Sequence, residues 1–246
     1  MLTMIRHPAA APDGSLPLVI AHGLYGSGRN WGVIARRLAE GRDVIAVDMR
    51  NHAGSAWHPT HSYPDMAADL AEVIVALGGK ADLLGHSMGG KAAMQLALTQ
   101  GALIRRLVVA DVAPVAYAHD QTQYITAMRS LDLSGLTSRG EADRRLATVL
   151  DDPALRAFFL QSLDLKAEGG PRWRLNFDVL AAEMSKIVGW PGEVGPFDGG
   201  VPRDDPHPVS QGAVRQTAGR GPLAARRQAA RVRGNRASLP ERSQFG

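Results

Sequence analysis

Four short apolar runs alternate with helical patterns over the first 112 residues, and that alternation leaves few architectures open. LPLVIAHG (16–23), GRDVIAVD (41–48), ADLLGHS (81–87) and RRLVVADV (105–112) are rich in β-forming residues. Between them, NWGVIARRLAE (30–40), MAADLAEVIVALG (66–78) and MGGKAAMQLALTQ (88–100) place apolar residues at helical spacing. Strands that alternate with helices build a parallel sheet covered on both faces. The expected class is therefore α/β, a doubly wound, mostly parallel sheet occupying residues 1–113. From about residue 114 to 187 the strand signal stops. TQYITAMRSL, EADRRLATVL, ALRAFFLQSL and RWRLNFDVLAAEMSKI read as amphipathic helices, a cap over the sheet edge that returns to the core by residue 190.

Residues 191–246 differ in kind. Only nine of these 56 are Leu, Ile, Val or Phe, too few for burial to offset the entropy of ordering, so the segment is expected to be disordered or poorly packed. The net charge of +4 also originates there: nine arginines, no lysine and five acids in the tail, against 19 basic and 19 acidic residues before it. These arginines lack interleaved aromatics and any nucleic-acid-binding motif, so no nucleic-acid partner is expected. With no cysteine, disulfides and thiolate chemistry are excluded. The longest apolar run, residues 16–21, cannot span a bilayer, and the N-terminus has no secretory pattern; a cytoplasmic protein without a membrane partner is the expectation. Oligomeric state is not legible.

Gly85-His86-Ser87-Met88-Gly89 is G-x-S-x-G between an apolar strand and a helix, the context in which this motif lifts a serine hydroxyl above a sheet. The turn is tight enough to need glycine at positions 85, 89 and 90. The helix that starts there directs N–H groups and its positive dipole end at developing negative charge. His22-Gly23-Leu24 after the first strong strand supplies the other half of an anion site, with the backbone amides of Leu24 and Met88 as the oxyanion donors. His22 is expected to orient that loop.

HGLYGSGRNW, DMRNHAGS, LLGHSMGG, ADVAPVAY and WRLNF, in this order across residues 16–190, resemble the α/β-hydrolase superfamily. Within it they are similar to small bacterial esterases related to the mitochondrial abhydrolase domain-containing protein eleven. The resemblance implies hydrolysis of short to medium acyl esters or thioesters by a serine nucleophile, with no metal and no cofactor. It places the catalytic acid at Asp111. Other members carry the acid after a later strand, where Asp204 or Asp205 would stand. His52 in DMRNHAGS reads as a loop-ordering hydrogen bonder; the related esterases have glycine where this chain has Ala53.

The same resemblance requires a histidine late in the chain, in a pattern like GAGHWLHA followed by an acid, Lys and Pro, and then a closing helix. Downstream of Asp111 only His119 and His207 exist, one at the cap entrance and the other between prolines. Back-translated with permissible codons and read one nucleotide later, AGRGPLAARRQAARVRGNRASLPER, from Ala218, can encode GAGHWLHADKPRAFEATVRAFLN. The histidine then straddles the codons of Pro222 and Leu223. The expectation is a frameshift between about Gly189 and Val201, and a chain that as spelled lacks its general base, its last strands and its closing helix. Acyl transfer or perhydrolysis on the same fold, and a non-catalytic binding protein, are the competing readings.

Overall fold

The computed structural model describes residues 1–118 and 120–191; His119 and residues 192–246, with Asp204, Asp205, His207 and most of the interval of the proposed frameshift, lie outside the described residues. One sheet contains β1 (Thr3–His7), β2 (Leu18–Ala21), β3 (Val44–Asp48), β4 (Ala81–His86) and β5 (Ile104–Ala110), in the spatial order β1-β3-β2-β4-β5. The last four run parallel and β1 pairs antiparallel with β3. Every residue of β2 and β3 is buried. Strands covered on both faces read as unbroken apolar runs, which is why LVIA and VIAVD stand out in the sequence. β1 escapes that reading: TMIRH is an edge strand, half-buried at most, and mixes polar with apolar residues.

α2 (Tyr63–Ala76) and α3 (Met88–Gln100) cover one face, packing on Val19, Ile45, Leu83 and Ile104. α2 begins where Ser62 and Asp65 exchange hydrogen bonds, a capping box that satisfies two otherwise orphaned amides and contributes about 1 kcal/mol. α1 (Gly32–Leu38) lies on the other face over Leu18, Ile20, Val44 and Ala46. Its cover is uneven. Leu84 of β4 is half-buried, its register neighbour Val108 on β5 is 41% exposed, and Ile34 and Leu38 of α1 are 46% and 37% exposed.

The cap comprises α4 (Thr122–Arg129), α5 (Arg139–Leu146), α6 (Pro153–Phe159), α7 (Phe177–Ala182) and α8 (Met184–Val188), with a small apolar cluster of its own around Leu131, Leu146, Leu160 and Leu163. It is not purely helical, as the sequence pattern predicts. β6 (Leu163–Asp164) and β7 (Arg172–Trp173) form a short antiparallel pair. The start of RWRLNF is held extended by the Arg174 amide on the Ser162 carbonyl at 2.9 Å and by the Arg174 guanidinium on Asp164 at 2.5 and 3.0 Å. Between core and cap runs the loop after β3, fixed by Arg50 donating to both oxygens of Asp69 on α2 at 2.5 and 2.9 Å, with both side chains buried.

Candidate active site

β4 ends and α3 begins with only Ser87 between them, and the backbone there departs from every regular conformation. Ser87 has φ 50° and ψ −118°. A side-chain-bearing residue in that region stores about 1–3 kcal/mol, held in place here by its surroundings. The Ser87 amide donates to the Ala110 carbonyl at the end of β5 (3.0 Å), and the Lys91 amide donates to the Ser87 carbonyl (3.1 Å). Glycine is required around it. A Cβ on Gly85 would overlap the Gly89 carbonyl oxygen, one on Gly89 would come within 2.5 Å of the carbonyl oxygens of both Ala21 and His22, and one on Gly90 would meet Val112 at 2.7 Å. Ser87 itself is half-buried and opens onto a cavity of about 640 Å³.

The structure brings Leu24, Ser87, Met88 and Asp111 to that one cavity. The loop of residues 22–24 packs directly on the serine: a Cβ built on Gly23 would stand 3.2 Å from the Ser87 Cβ. Asp111 follows β5, the strand next to the one that carries Ser87, and has φ 58°. Its carboxylate is 60% exposed, and the one basic side chain within 4 Å of it among the described residues is the His86 ring, with Nε2 3.9 Å from Oδ2. Tyr25, Tyr124, Leu155, Phe158 and Phe159 form an apolar wall contributed largely by the cap.

His22 and His52 serve backbone, and their partners define their tautomers. His22 donates from Nδ1 to the Gly23 carbonyl at 2.8 Å and accepts the Met49 amide on Nε2 at 2.9 Å. His52 donates from Nδ1 to the Arg50 carbonyl at 2.8 Å and accepts the Tyr25 amide on Nε2 at 3.1 Å, holding the residue after Leu24 at φ 64°. His61 completes the row and gave no signal in the sequence. Asn51 donates to its Nδ1 at 3.3 Å, so its Nε2–H faces the Met88 sulfur at 3.2 Å. Three neutral rings thus brace both elements that carry the expected oxyanion amides, with centroids 5.2 and 5.4 Å apart. Burial drives the pKa of His22 down to about 4 and that of His52 to about 3, aided in each by a neighbouring imidazole, and drives His61 well below its ordinary value.

Stability should therefore fall with acid. The unfolded chain takes up protons on these rings near pH 6.5 while the native state refuses them, so their contribution is complete above that pH and lost as pH drops toward 4 and 3. By pH 4.5 each ring is expected to remove roughly 2 kcal/mol. Urea unfolding between pH 7.5 and 4.5 should show this decline and a shallower one in His52→Gln. Equal slopes for the two proteins would contradict the assignment of neutral His52.

Two other residues of the cavity carried no sequence signal. His86 turns its ring toward Gly23 and Trp31, 5.9 Å from the indole centroid, with its pKa lowered by burial against the opposing pull of Asp111. Lys91 sits one turn beyond Ser87 on α3 and is 2% exposed. Only the folded chain shows that both face the same space as the serine.

Comparison with known proteins identifies the family. The profile of the Alpha/beta hydrolase family matches residues 18–241. The sn-1-specific diacylglycerol lipase ABHD11 of Mus musculus is 36% identical over 197 residues, covering 76% of this chain and 64% of that protein. Esterase YbfF of Escherichia coli is 39% identical over 178 residues, covering 71% and 67%. A probable alcohol acetyltransferase of Saccharomyces cerevisiae is 36% identical over 159 residues, covering 60% and 46%. Among solved structures, a marine microorganism esterase superposes with a TM-score of 0.73 at 33% identity, covering 80% of this chain and 77% of its own. The chain spans 64%, 58% and 62% of the first three curated relatives it matches.

Proposed function

The chain belongs to the α/β-hydrolase family, and from that premise we propose that its chemistry is serine-type hydrolysis of carboxylic esters or thioesters through an acyl-enzyme. Ser87 attacks the acyl carbon, the amides of Leu24 and Met88 receive the oxyanion, and Asp111 holds a late histidine in its working tautomer and stabilises its cationic form. Water then releases the acid. The observation that carries this reading is Ser87 held at φ 50° between β4 and α3, opening on a cavity that also contains Leu24, Met88 and Asp111. The 640 Å³ space and its aromatic wall suit a short to medium acyl chain. The core of residues 1–113 supplies the chemistry, and the cap of residues 114–190 shapes the acyl side.

We propose that the chain as spelled lacks the late histidine that would serve as its base. His22 and His52 have both ring nitrogens committed to backbone, so neither can shuttle the serine proton. We expect feeble turnover of p-nitrophenyl butyrate by the 246-residue chain, rising with added imidazole because a free ring can reach the exposed Asp111. That increment, above the hydrolysis imidazole causes in buffer, should vanish in Ser87→Ala. An imidazole response identical in Ser87→Ala removes the serine from the mechanism. Fast turnover without imidazole, abolished in Ser87→Ala, keeps the serine and removes the missing base. A second reading, acyl transfer to an alcohol, draws on the likeness to the acetyltransferase; competition between an alcohol and water for the acyl-enzyme separates the two.

A further inference from the structure

Lys91 is a buried cation of the cavity that the ester chemistry leaves unused. Its ammonium donates to the carbonyl oxygens of Val188 at 3.0 Å and Gly189 at 2.5 Å, where α8 ends, and faces the rings of Tyr117 and Tyr63 with centroids at 4.6 and 5.7 Å. Two carbonyls occupy two of its three N–H donors. No carboxylate among the described residues forms an ion pair with it; the salt bridges of the neighbouring elements use Arg50 and Lys186 instead. Burial alone pulls its pKa down to about 8, with no neighbouring charge to offset it. Carbonyl dipoles and aromatic faces moderate a buried cation, but buried charges are as a rule paired. Here no carboxylate partner stands among the described residues, and the space beside the ammonium is the space in which Ser87 meets its substrate.

We propose that the cavity takes esters whose acyl chain ends in a carboxylate, half-esters of short dicarboxylic acids, with the Lys91 ammonium as the counter-ion of the distal carboxylate. The inference deepens the ester-hydrolase reading and rests on it. Lys91 lies four positions beyond Ser87, about 6 Å along the helix axis, and helical side chains lean back toward the N-terminus, so one short substrate can address both. The rest of the lining fits: Tyr63, Ile187 and Val188 flank the lysine and would enclose the methylenes of the spacer.

Binding by the 246-residue chain tests this without any need for turnover. Calorimetric titration at pH 7 with monomethyl adipate and with methyl hexanoate compares two esters of equal length that differ in the terminal carboxylate. The charged ester is expected to bind about 10–100-fold more tightly, the range of a charge-assisted hydrogen bond. The gap should close to within about twofold in Lys91→Met, and in the unaltered chain it should shrink between pH 7 and 9.5 as the ammonium loses its proton near 8. If Lys91→Met fails to fold, the pH series on the unaltered chain decides. Equal affinities at pH 7, or a gap that persists at pH 9.5, overturn the inference and leave the ester reading standing. If neither ester binds, the ester-binding reading of the cavity fails and this inference falls with it.

Discussion

A gene shifted by one nucleotide between the codons of Gly189 and Val201, so that its product ends in GAGHWLHADKPRAFEATVRAFLN, should encode a protein that turns over p-nitrophenyl butyrate about 10⁴–10⁶-fold faster than the 246-residue chain. The magnitude follows from what a serine hydroxyl lacks without a base: it must lose its proton in the step in which it attacks, and the two amides proposed to receive the oxyanion cannot take it. Ser87 and Asp111 stand at the ends of neighbouring parallel strands, tied by the Ser87 amide on the Ala110 carbonyl. The Asp111 carboxylate is largely exposed, with only a long approach to His86. A carboxylate that orients an imidazole would be covered by it. Ser87→Ala in the shifted protein should return activity to the level of the unshifted one. No gain on shifting the frame, or a gain that persists in Ser87→Ala, refutes the proposal, as does a gene whose codons cannot spell the histidine-containing alternative.

The second large effect concerns stability. Gly89→Ala introduces one methyl group and should destabilise the fold by about 3 kcal/mol, lowering the melting temperature by roughly 6–12 °C. The new carbon would lie 2.5 Å from two backbone carbonyl oxygens, those of Ala21 and His22, which belong to a fully buried strand and to the loop that carries Leu24. Backbone there can yield only by displacing the loop from Ser87. Gly140→Ala, near the start of α5, is the control: its Cβ would meet nothing nearer than the end of the Arg144 side chain at 3.9 Å, and helix propensity favours alanine by up to about 1 kcal/mol. A Gly89→Ala protein that melts with the unaltered chain would mean that the turn is looser than its glycines indicate.

The central sheet is legible in the sequence because its strands are buried on both sides and so lack polar interruption, and the turn at 85–90 because only glycine fits between two backbones in contact. Asp111 is proposed as the acid through the resemblance alone. β1 and the β6–β7 pair are not legible, since a half-covered edge strand and a two-residue ladder carry no periodic pattern and owe their form to partners far along the chain. The bracing rings and the buried ammonium are hidden for a related reason. His61, with its neighbours His58 and Thr60, reads as polar loop, and Lys91 as an ordinary helix surface residue. What distinguishes them is that Met88 approaches one and the end of α8 the other, contacts made across 27 and 97 residues of sequence.

The uneven cover on the α1 side of the sheet has a consequence beyond catalysis. Val108, Ile34 and Leu38 leave apolar surface in water there, Leu84 is half-covered, and the residues from 192 onward, as spelled, hold few apolar side chains. Such surface is dried most readily by a second molecule offering the same surface in return. Crowding in the tube, more than any flaw in the individual fold, would then decide how long the protein stays in solution.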